Sequence, residues 1–154
     1  MALALDKSLS PAPAYPEQAP NWEDSQKLDL AVVFTSIEST LRALREAETL
    51  AERLAARITL VVPQIVPYPL PLESPPVLLR FNERRFFEMA SRSRVETRVR
   101  IYLCRDRWDA LEIALRPHSL VVMGGGKRWW PAPEARLARR LRRAGHEVIV
   151  VEAG

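Results

Sequence analysis

The sequence predicts an α/β protein with a doubly wound parallel sheet, and three arguments lead to that class. First, short apolar runs alternate with amphipathic helical segments from residue 28 to the end of the chain. Second, the connections between them are mostly short, as in a parallel sheet that helices cover on both faces. Third, right-handed crossovers in such a chain favour double winding, which leaves a ligand crevice where the winding reverses.

Five segments have the pattern of a strand. The third of them alternates apolar and polar residues, so we expect it at a sheet edge with one polar face. Segment 63–76 contains six prolines, and we therefore predict a loop that begins at Pro63 and not a central strand. The five predicted strands are 28–34, 57–62, 95–103, 120–123 and 146–152.

Four segments have helical spacing of apolar residues. Ser36 and Asp106 are suitable N-caps for the first and third helices because their side-chain oxygens can accept a free backbone N–H. Pro133 suits the first turn of the last helix, and Gly145 suits the position just after its end. The four predicted helices are 37–54, 77–90, 107–115 and 134–144.

Length and composition restrict the class of protein. The chain has 154 residues, of which 47% are hydrophobic and 27% charged, as expected for one globular domain. No apolar run approaches the roughly 18 residues of a membrane span, and the first residues do not resemble a secretory signal. Cys104 is the only cysteine and there are two histidines, so a disulfide and a zinc site are not expected. We therefore expect a cytoplasmic protein without a metal.

Residues 1–27 differ from the rest of the chain. They contain four prolines and no hydrophobic period, which predicts a disordered tail followed by one domain over 28–154. Tyr15 and Trp22 are the anchors to expect if the tail is instead a docking peptide.

The fourth predicted strand ends in a glycine cluster that basic residues follow at once. Glycine N–H groups can approach a phosphate closely, and such loops bind anions at the carboxyl ends of parallel strands. The residues after the first strand should converge on this loop. The candidate anion pocket therefore consists of Thr35, Ser36, Gly124, Gly125, Gly126, Lys127 and Arg128. The alternative is that the glycines serve only the geometry of a tight loop.

The stretch from Asp106 to Gly124, a helix followed by Arg-Pro-His-Ser-Leu-Val-Val-Met-Gly, resembles the universal stress protein family. The order of elements from Leu28 to Glu152 fits the same family. The resemblance implies a Rossmann-like sheet of order 3-2-1-4-5, with the first and fourth strands beside the crevice. It also implies a stress-response function and a homodimer that forms through the last strand, residues 148–151.

The ATP-binding branch of that family carries Gly-x2-Gly-x9-Gly-(Ser/Thr) from the fourth strand onward. Set on Gly124, its later positions fall on Lys127, Leu137 and Ala138, so only the first matches. The family's aspartate after the first strand is also missing. We therefore expect a non-catalytic regulatory module with a degenerate ligand crevice, no catalytic residues and no cofactor. The alternatives are a stress protein that binds ATP or another nucleotide and a basic nucleic-acid-binding module.

Three further features each have two interpretations. Trp129 and Trp130 can stack on a base, but such a pair more often seals a loop against the core. The arginines of the last helix can attract nucleic acid or an anionic membrane, but they also suit a solvated helix face. Cys104 is expected to be a structural thiol and not a nucleophile. The expected partner is thus a second copy of the chain, with a nucleotide as the alternative; a membrane is not expected, and nucleic acid is the less favoured partner.

Overall fold

The computed structural model of the chain describes residues 3–5, 28–66, 78–126 and 133–152. These residues form one six-stranded sheet with helices on both faces. Its strands are β1 (Leu3–Leu5), β2 (Asp29–Val33), β3 (Arg57–Ile65), β4 (Thr97–Cys104), β5 (Leu120–Gly124) and β6 (Glu147–Val151). Its helices are α1 (Ile37–Leu54), α2 (Leu78–Ser91), α3 (Arg107–Ala114) and α4 (Pro133–Arg143). No helix in this part of the chain has both the length and the apolar character that a membrane crossing requires.

The sheet has the predicted topology. Its order is β1-β4-β3-β2-β5-β6, and the pairings among β2 to β6 are all parallel. In chain order these five parallel strands read 3-2-1-4-5, which confirms the predicted doubly wound fold. The winding reverses between β2 and β5, where Val33 lies opposite Met123. The carboxyl ends of β2 and β5 therefore meet at the crevice where this fold binds ligands.

Two hydrophobic layers hold the helices to the sheet. Leu30 and Val32 of β2 face the layer that contains the buried side of α1 and part of α2. Ala31 and Val33 face the opposite layer, which contains α3 and α4. Because both faces of β2 are covered, the strand is apolar at consecutive positions, and this explains the continuous apolar run in the sequence.

The predicted caps of α1 and α3 and the predicted glycine after α4 are confirmed. The Ser36 hydroxyl accepts the Ser39 backbone N–H at 3.3 Å and caps α1. An Asp106 carboxylate oxygen accepts the Trp108 N–H at 2.9 Å and caps α3. Gly145, just after α4, has a φ of 97°, a left-handed conformation that favours glycine.

The outer side of β4 differs from the prediction. Strand β1 pairs antiparallel with β4, with Leu3 opposite Leu103 and Leu5 opposite Ile101. The expectation of a disordered tail over 1–27 is therefore wrong for these three residues, and β4 is not the edge of the sheet. The pairing partner of β1 lies nearly a hundred residues away in the sequence, so no local pattern indicates it. The rest of the predicted tail, including Tyr15 and Trp22, lies outside the described residues.

Strand β3 also runs further than predicted. The expectation that Pro63 begins a loop is wrong, because β3 continues to Ile65 with Pro63 opposite Tyr102. Residues 57 and 61 of β3 hydrogen-bond towards β2, so by alternation Pro63 also faces that side. Strand β2 has already ended there, and the missing proline N–H therefore costs no ladder hydrogen bond.

Candidate functional site

The sheet brings together the ends of β2 and β5, as the sequence predicts. Beyond them, the Thr35 hydroxyl donates a long hydrogen bond of 3.5 Å to the Gly124 carbonyl oxygen. Ser36 lies next to Thr35, but its hydroxyl is engaged as the cap of α1. Gly125 is buried and Gly126 is half-buried at the same end of β5. The other predicted members of the pocket, Lys127 and Arg128, lie outside the described residues, as do Trp129 and Trp130.

Gly124 has a structural reason to be glycine. A Cβ at this position would lie 2.3 Å from the Ser39 carbonyl oxygen and 2.5 Å from the Ser39 Cβ. Helix α1 therefore packs directly on the backbone at the end of β5, and only glycine permits that approach. This requirement exists whether or not a ligand binds.

Gly125 uses both of its backbone groups within the protein. Its N–H donates to the Val151 carbonyl oxygen at 2.9 Å and extends the β5–β6 ladder by one bond. Its carbonyl oxygen accepts a hydrogen bond of 3.4 Å from Nη2 of Arg42. A phosphate that took the Gly125 N–H would have to break a ladder bond, so this group is not free for an anion.

Arg42 is a site residue that the sequence reasoning missed. Besides the Gly125 carbonyl, its guanidinium donates to the Ser39 hydroxyl and to a Glu38 carboxylate oxygen, each at 3.3 Å. The Arg42 Nε is buried without a hydrogen-bond partner among the described residues. The spacing of four between Glu38 and Arg42 predicts their ion pair on α1, but no local pattern indicates the contact of Arg42 with Gly125.

A cleft of about 310 Å³ lies beside Thr35, between the carboxyl ends of β2 and β3 and helix α2. The Phe34 and Phe86 rings meet edge to face in its wall, with their centroids 4.9 Å apart. The remaining lining residues are Ile37, Pro63, Gln64, Ile65 and Arg85. The cleft is thus mainly apolar, with an amide and a guanidinium as its polar groups. No local sequence pattern indicates this cleft, because its lining comes from three separate segments.

The described residues contain no cluster of carboxylate, imidazole or thiol groups that could hold a metal ion. Among them, no group of three or more His, Cys, Asp or Glu side chains is placed to hold a metal ion. Cys104 lies at the end of β4, fully buried, with its Sγ 3.7 Å from the Gln64 carbonyl oxygen. Burial, followed by the negative charges of Asp106 and Asp109, raises the pKa of the Cys104 thiol to about 11. A thiol in this state is protonated near neutral pH and is a poor nucleophile.

The Cys104 thiol gives a pH-dependent prediction. Because its pKa is raised in the folded state, the unfolded chain loses this proton first as the pH rises above about 9. The contribution of Cys104 to stability is therefore fully present below that pH, and it falls by about 1.4 kcal/mol for each further pH unit until the folded pKa is reached. Urea unfolding at pH 7 and pH 10 measures this fall in the free energy of unfolding. The fall should be smaller in Cys104→Ala, and an equal fall in both proteins would contradict the assignment.

Comparison with known proteins identifies the fold. No protein-family profile and no curated protein sequence matches the chain. Among solved structures, a universal stress protein from Archaeoglobus fulgidus matches with a TM-score of 0.58 and 15% identity, over 83% of this chain and 96% of that one. A universal stress protein family member from Burkholderia pseudomallei matches with a TM-score of 0.53 and 23% identity, over 81% and 96%. A universal stress protein in complex with cAMP matches with a TM-score of 0.53 and 18% identity, over 80% and 95%.

Proposed function

From its universal-stress-protein-like fold, we propose that this chain is a non-catalytic regulatory module of the stress response that acts in the cytoplasm through a degenerate ligand crevice. The observation that carries the proposal is the Gly125 N–H, which is bonded to Val151 and not presented to a ligand. Phe34 and Thr35 follow β2 where the resemblance places a carboxylate, and neither supplies one. The crevice thus lacks that carboxylate, and its Gly125 N–H is not free for a phosphate.

The side chains at the crevice support a role without catalysis. Thr35 and Ser36 have hydroxyl groups, but these are engaged with the Gly124 carbonyl and the Ser39 N–H. A hydroxyl needs an adjacent general base to act as a nucleophile. At the end of β4, the pKa of the Cys104 thiol is raised, and the residue is buried. We therefore propose that the module works by binding and not by turnover.

Nucleotide binding is the second candidate function, and Arg42 is the observation that favours it. Its guanidinium reaches the loop at the end of β5, where a phosphate could replace the Gly125 carbonyl as its partner. The neighbouring cleft of about 310 Å³ has room for a base against Phe34. One protein with this fold has been crystallised in complex with cAMP.

Calorimetric titration with ATP and magnesium, and with cAMP, separates the two candidates. A degenerate crevice predicts no saturable heat at micromolar protein concentration with either nucleotide. Saturable binding that is weakened about tenfold or more by Arg42→Ala or Lys127→Ala would establish the second candidate, because a charge-assisted hydrogen bond to phosphate would then be lost. Arg45→Ala is the matched control, since Arg45 lies on the exposed face of the same helix.

We also propose that the functional unit is a homodimer that forms through β6. Among the described strands, β6 lies at one edge of the sheet, and residues 147 and 151 hydrogen-bond towards β5. By alternation, the backbone groups of Val148 and Val150 point away from the sheet and can pair with a second copy. One of them is already engaged, because the Val148 carbonyl accepts a bond of 3.0 Å from Arg142 Nη2. Strand pairing would have to displace this arginine.

A further inference from the structure

The exposed face of α4 carries a continuous line of positive charge, which we name the basic strip. It consists of Arg136, Arg139, Arg140 and Arg143, all exposed, at the i, i+3, i+4, i+7 spacing of one helix face. Such a strip is about 10 Å long, because each helical residue advances about 1.5 Å. The opposite face of α4, which contains Leu137 and Leu141, is buried against the sheet.

The charge of the strip is not balanced within its own helix. Helix α4 contains one acidic residue, Glu134, in its first turn. The exposed residues of α1, in contrast, include both arginines and glutamates, among them Arg45, Glu46 and Glu52. Apart from Glu134, α4 therefore lacks the interspersed glutamates of α1, and the net charge of the whole chain is +4.

A groove of about 420 Å³ separates α4 from α3, and we name it the α3–α4 groove. Its wall on the α3 side includes Trp108, which is half-buried and lies under the guanidinium of Arg140, 4.2 Å from the ring centroid. The Trp108 indole N–H donates to a Glu112 carboxylate oxygen at 2.7 Å, so the ring is held in place. The other lining residues are Leu111, Leu115, Pro117, Leu141, Ala144 and His146.

His146 adds a neutral polar group to this groove. Its Nδ1 accepts the Ser119 backbone N–H at 3.1 Å, which leaves the ring proton on Nε2. Burial, with His118 nearby, lowers the pKa of His146 and favours this uncharged form. The groove is thus an aromatic and apolar slot with polar groups, Glu112 and His146, on its lining.

The strip and the groove together indicate one class of partner. A membrane is disfavoured because the large apolar side chains of α4, Leu137 and Leu141, are buried against the sheet and cannot enter a bilayer. A lone inorganic anion would use an arginine but not the aromatic groove. Single-stranded nucleic acid uses both features, since arginines bind its phosphates and its unstacked bases stack on aromatic rings.

We propose that the basic strip and the α3–α4 groove bind single-stranded nucleic acid, with phosphates on the arginines of α4 and one base in the groove against Trp108. This surface lies on the helix layer of α3 and α4, whereas the cleft beside Thr35 is bounded by α2, so the proposal does not depend on nucleotide binding at the crevice. Arg140 joins the two parts because it belongs to the strip and contacts Trp108.

Fluorescence anisotropy with a labelled 12-nucleotide single strand, as DNA and as RNA, tests the strip. Four arginine–phosphate contacts predict that the logarithm of affinity falls with the logarithm of salt concentration with a slope of about −2.8. The double variant Arg139→Ala/Arg143→Ala should make the slope shallower by about 1.4. The double variant Arg45→Ala/Arg53→Ala on α1 is the matched control and should leave the slope unchanged. No binding at low salt, or equal effects of the two double variants, would overturn the proposal.

The base in the groove has its own test. Trp108→Ala should weaken binding about tenfold, and Trp108→Phe should retain most of the affinity, because a ring face remains. With wild-type protein, an abasic strand of the same length should bind about tenfold more weakly than the normal strand. Trp108→Ala should cause no further loss with the abasic strand. Equal affinity of wild-type protein for the two strands, or tighter binding of a duplex of the same length, would overturn the assignment of a single-strand site.

Discussion

Replacement of Gly124 by alanine is expected to destabilise the protein by about 3 kcal/mol, measured as the free energy of unfolding in urea. The new methyl group would lie 2.3 Å from the Ser39 carbonyl oxygen and 2.6 Å from the carbonyl carbon. These are backbone atoms of α1, so the clash cannot be relieved by a side-chain rotation. Helix α1 would have to move away from the sheet and lose part of its packing in the core.

Gly125→Ala is the comparison that isolates this effect. A Cβ at Gly125 would lie 2.8 Å from Cγ1 of Val150, which is a side-chain atom that can turn aside. We therefore expect a clearly smaller loss, although the two substitutions add the same methyl group to adjacent residues. If Gly124→Ala changed the free energy of unfolding by less than roughly 0.5 kcal/mol, the close approach of α1 would be refuted.

Replacement of Ile149 by lysine is expected to convert the proposed homodimer into a monomer. The Ile149 side chain is 41% exposed on the edge strand β6, and a second strand placed beside it would cover it. A lysine at this position would bring two like charges to the dimer axis, and a charge on an edge strand opposes strand addition. Light scattering should show a fall from twice the chain mass of 17.5 kDa to that mass itself.

Arg142→Ala should act in the opposite direction. Arg142 occupies the outward carbonyl of Val148, and its removal frees that group for a partner strand. The dimer should then persist to lower protein concentration than in the wild type. Arg143→Ala is the matched control, because Arg143 is the next residue and belongs to the basic strip. Monomer mass at high micromolar concentration in the wild type, unchanged in both Ile149→Lys and Arg142→Ala, would contradict assembly through β6.

The local pattern of the sequence is sufficient for most of the fold. The buried runs before Phe34 and Gly124 are apolar at consecutive positions because helices cover both faces of their strands. Ser36 and Asp106 identify helix starts because a cap acts within three residues of itself. Alternation of such elements leaves few topologies, and the observed order of the parallel strands is one of them.

The candidate site was predictable only in its position. The ends of β2 and β5 meet because parallel strands bring their carboxyl ends to one side of the sheet. What the groups there do depends on atoms from distant segments, which no local pattern reveals. The Gly125 N–H donates to Val151, and Arg42 of α1 donates to the Gly125 carbonyl oxygen.

The sequence by itself determined the five parallel strands, the four helices with their starts and a doubly wound sheet, because these follow from hydrophobic period, capping and handedness. The specific order 3-2-1-4-5 came from the resemblance to the universal stress protein family. Tertiary structure alone decided the pairing of β1 with β4, the continuation of β3 through Pro63, and the requirement for glycine at 124. It also decided that Trp108 lies under Arg140, thirty-two residues further along the chain. Each of these depends on a contact between segments far apart in sequence, and such contacts exist only after the chain has packed.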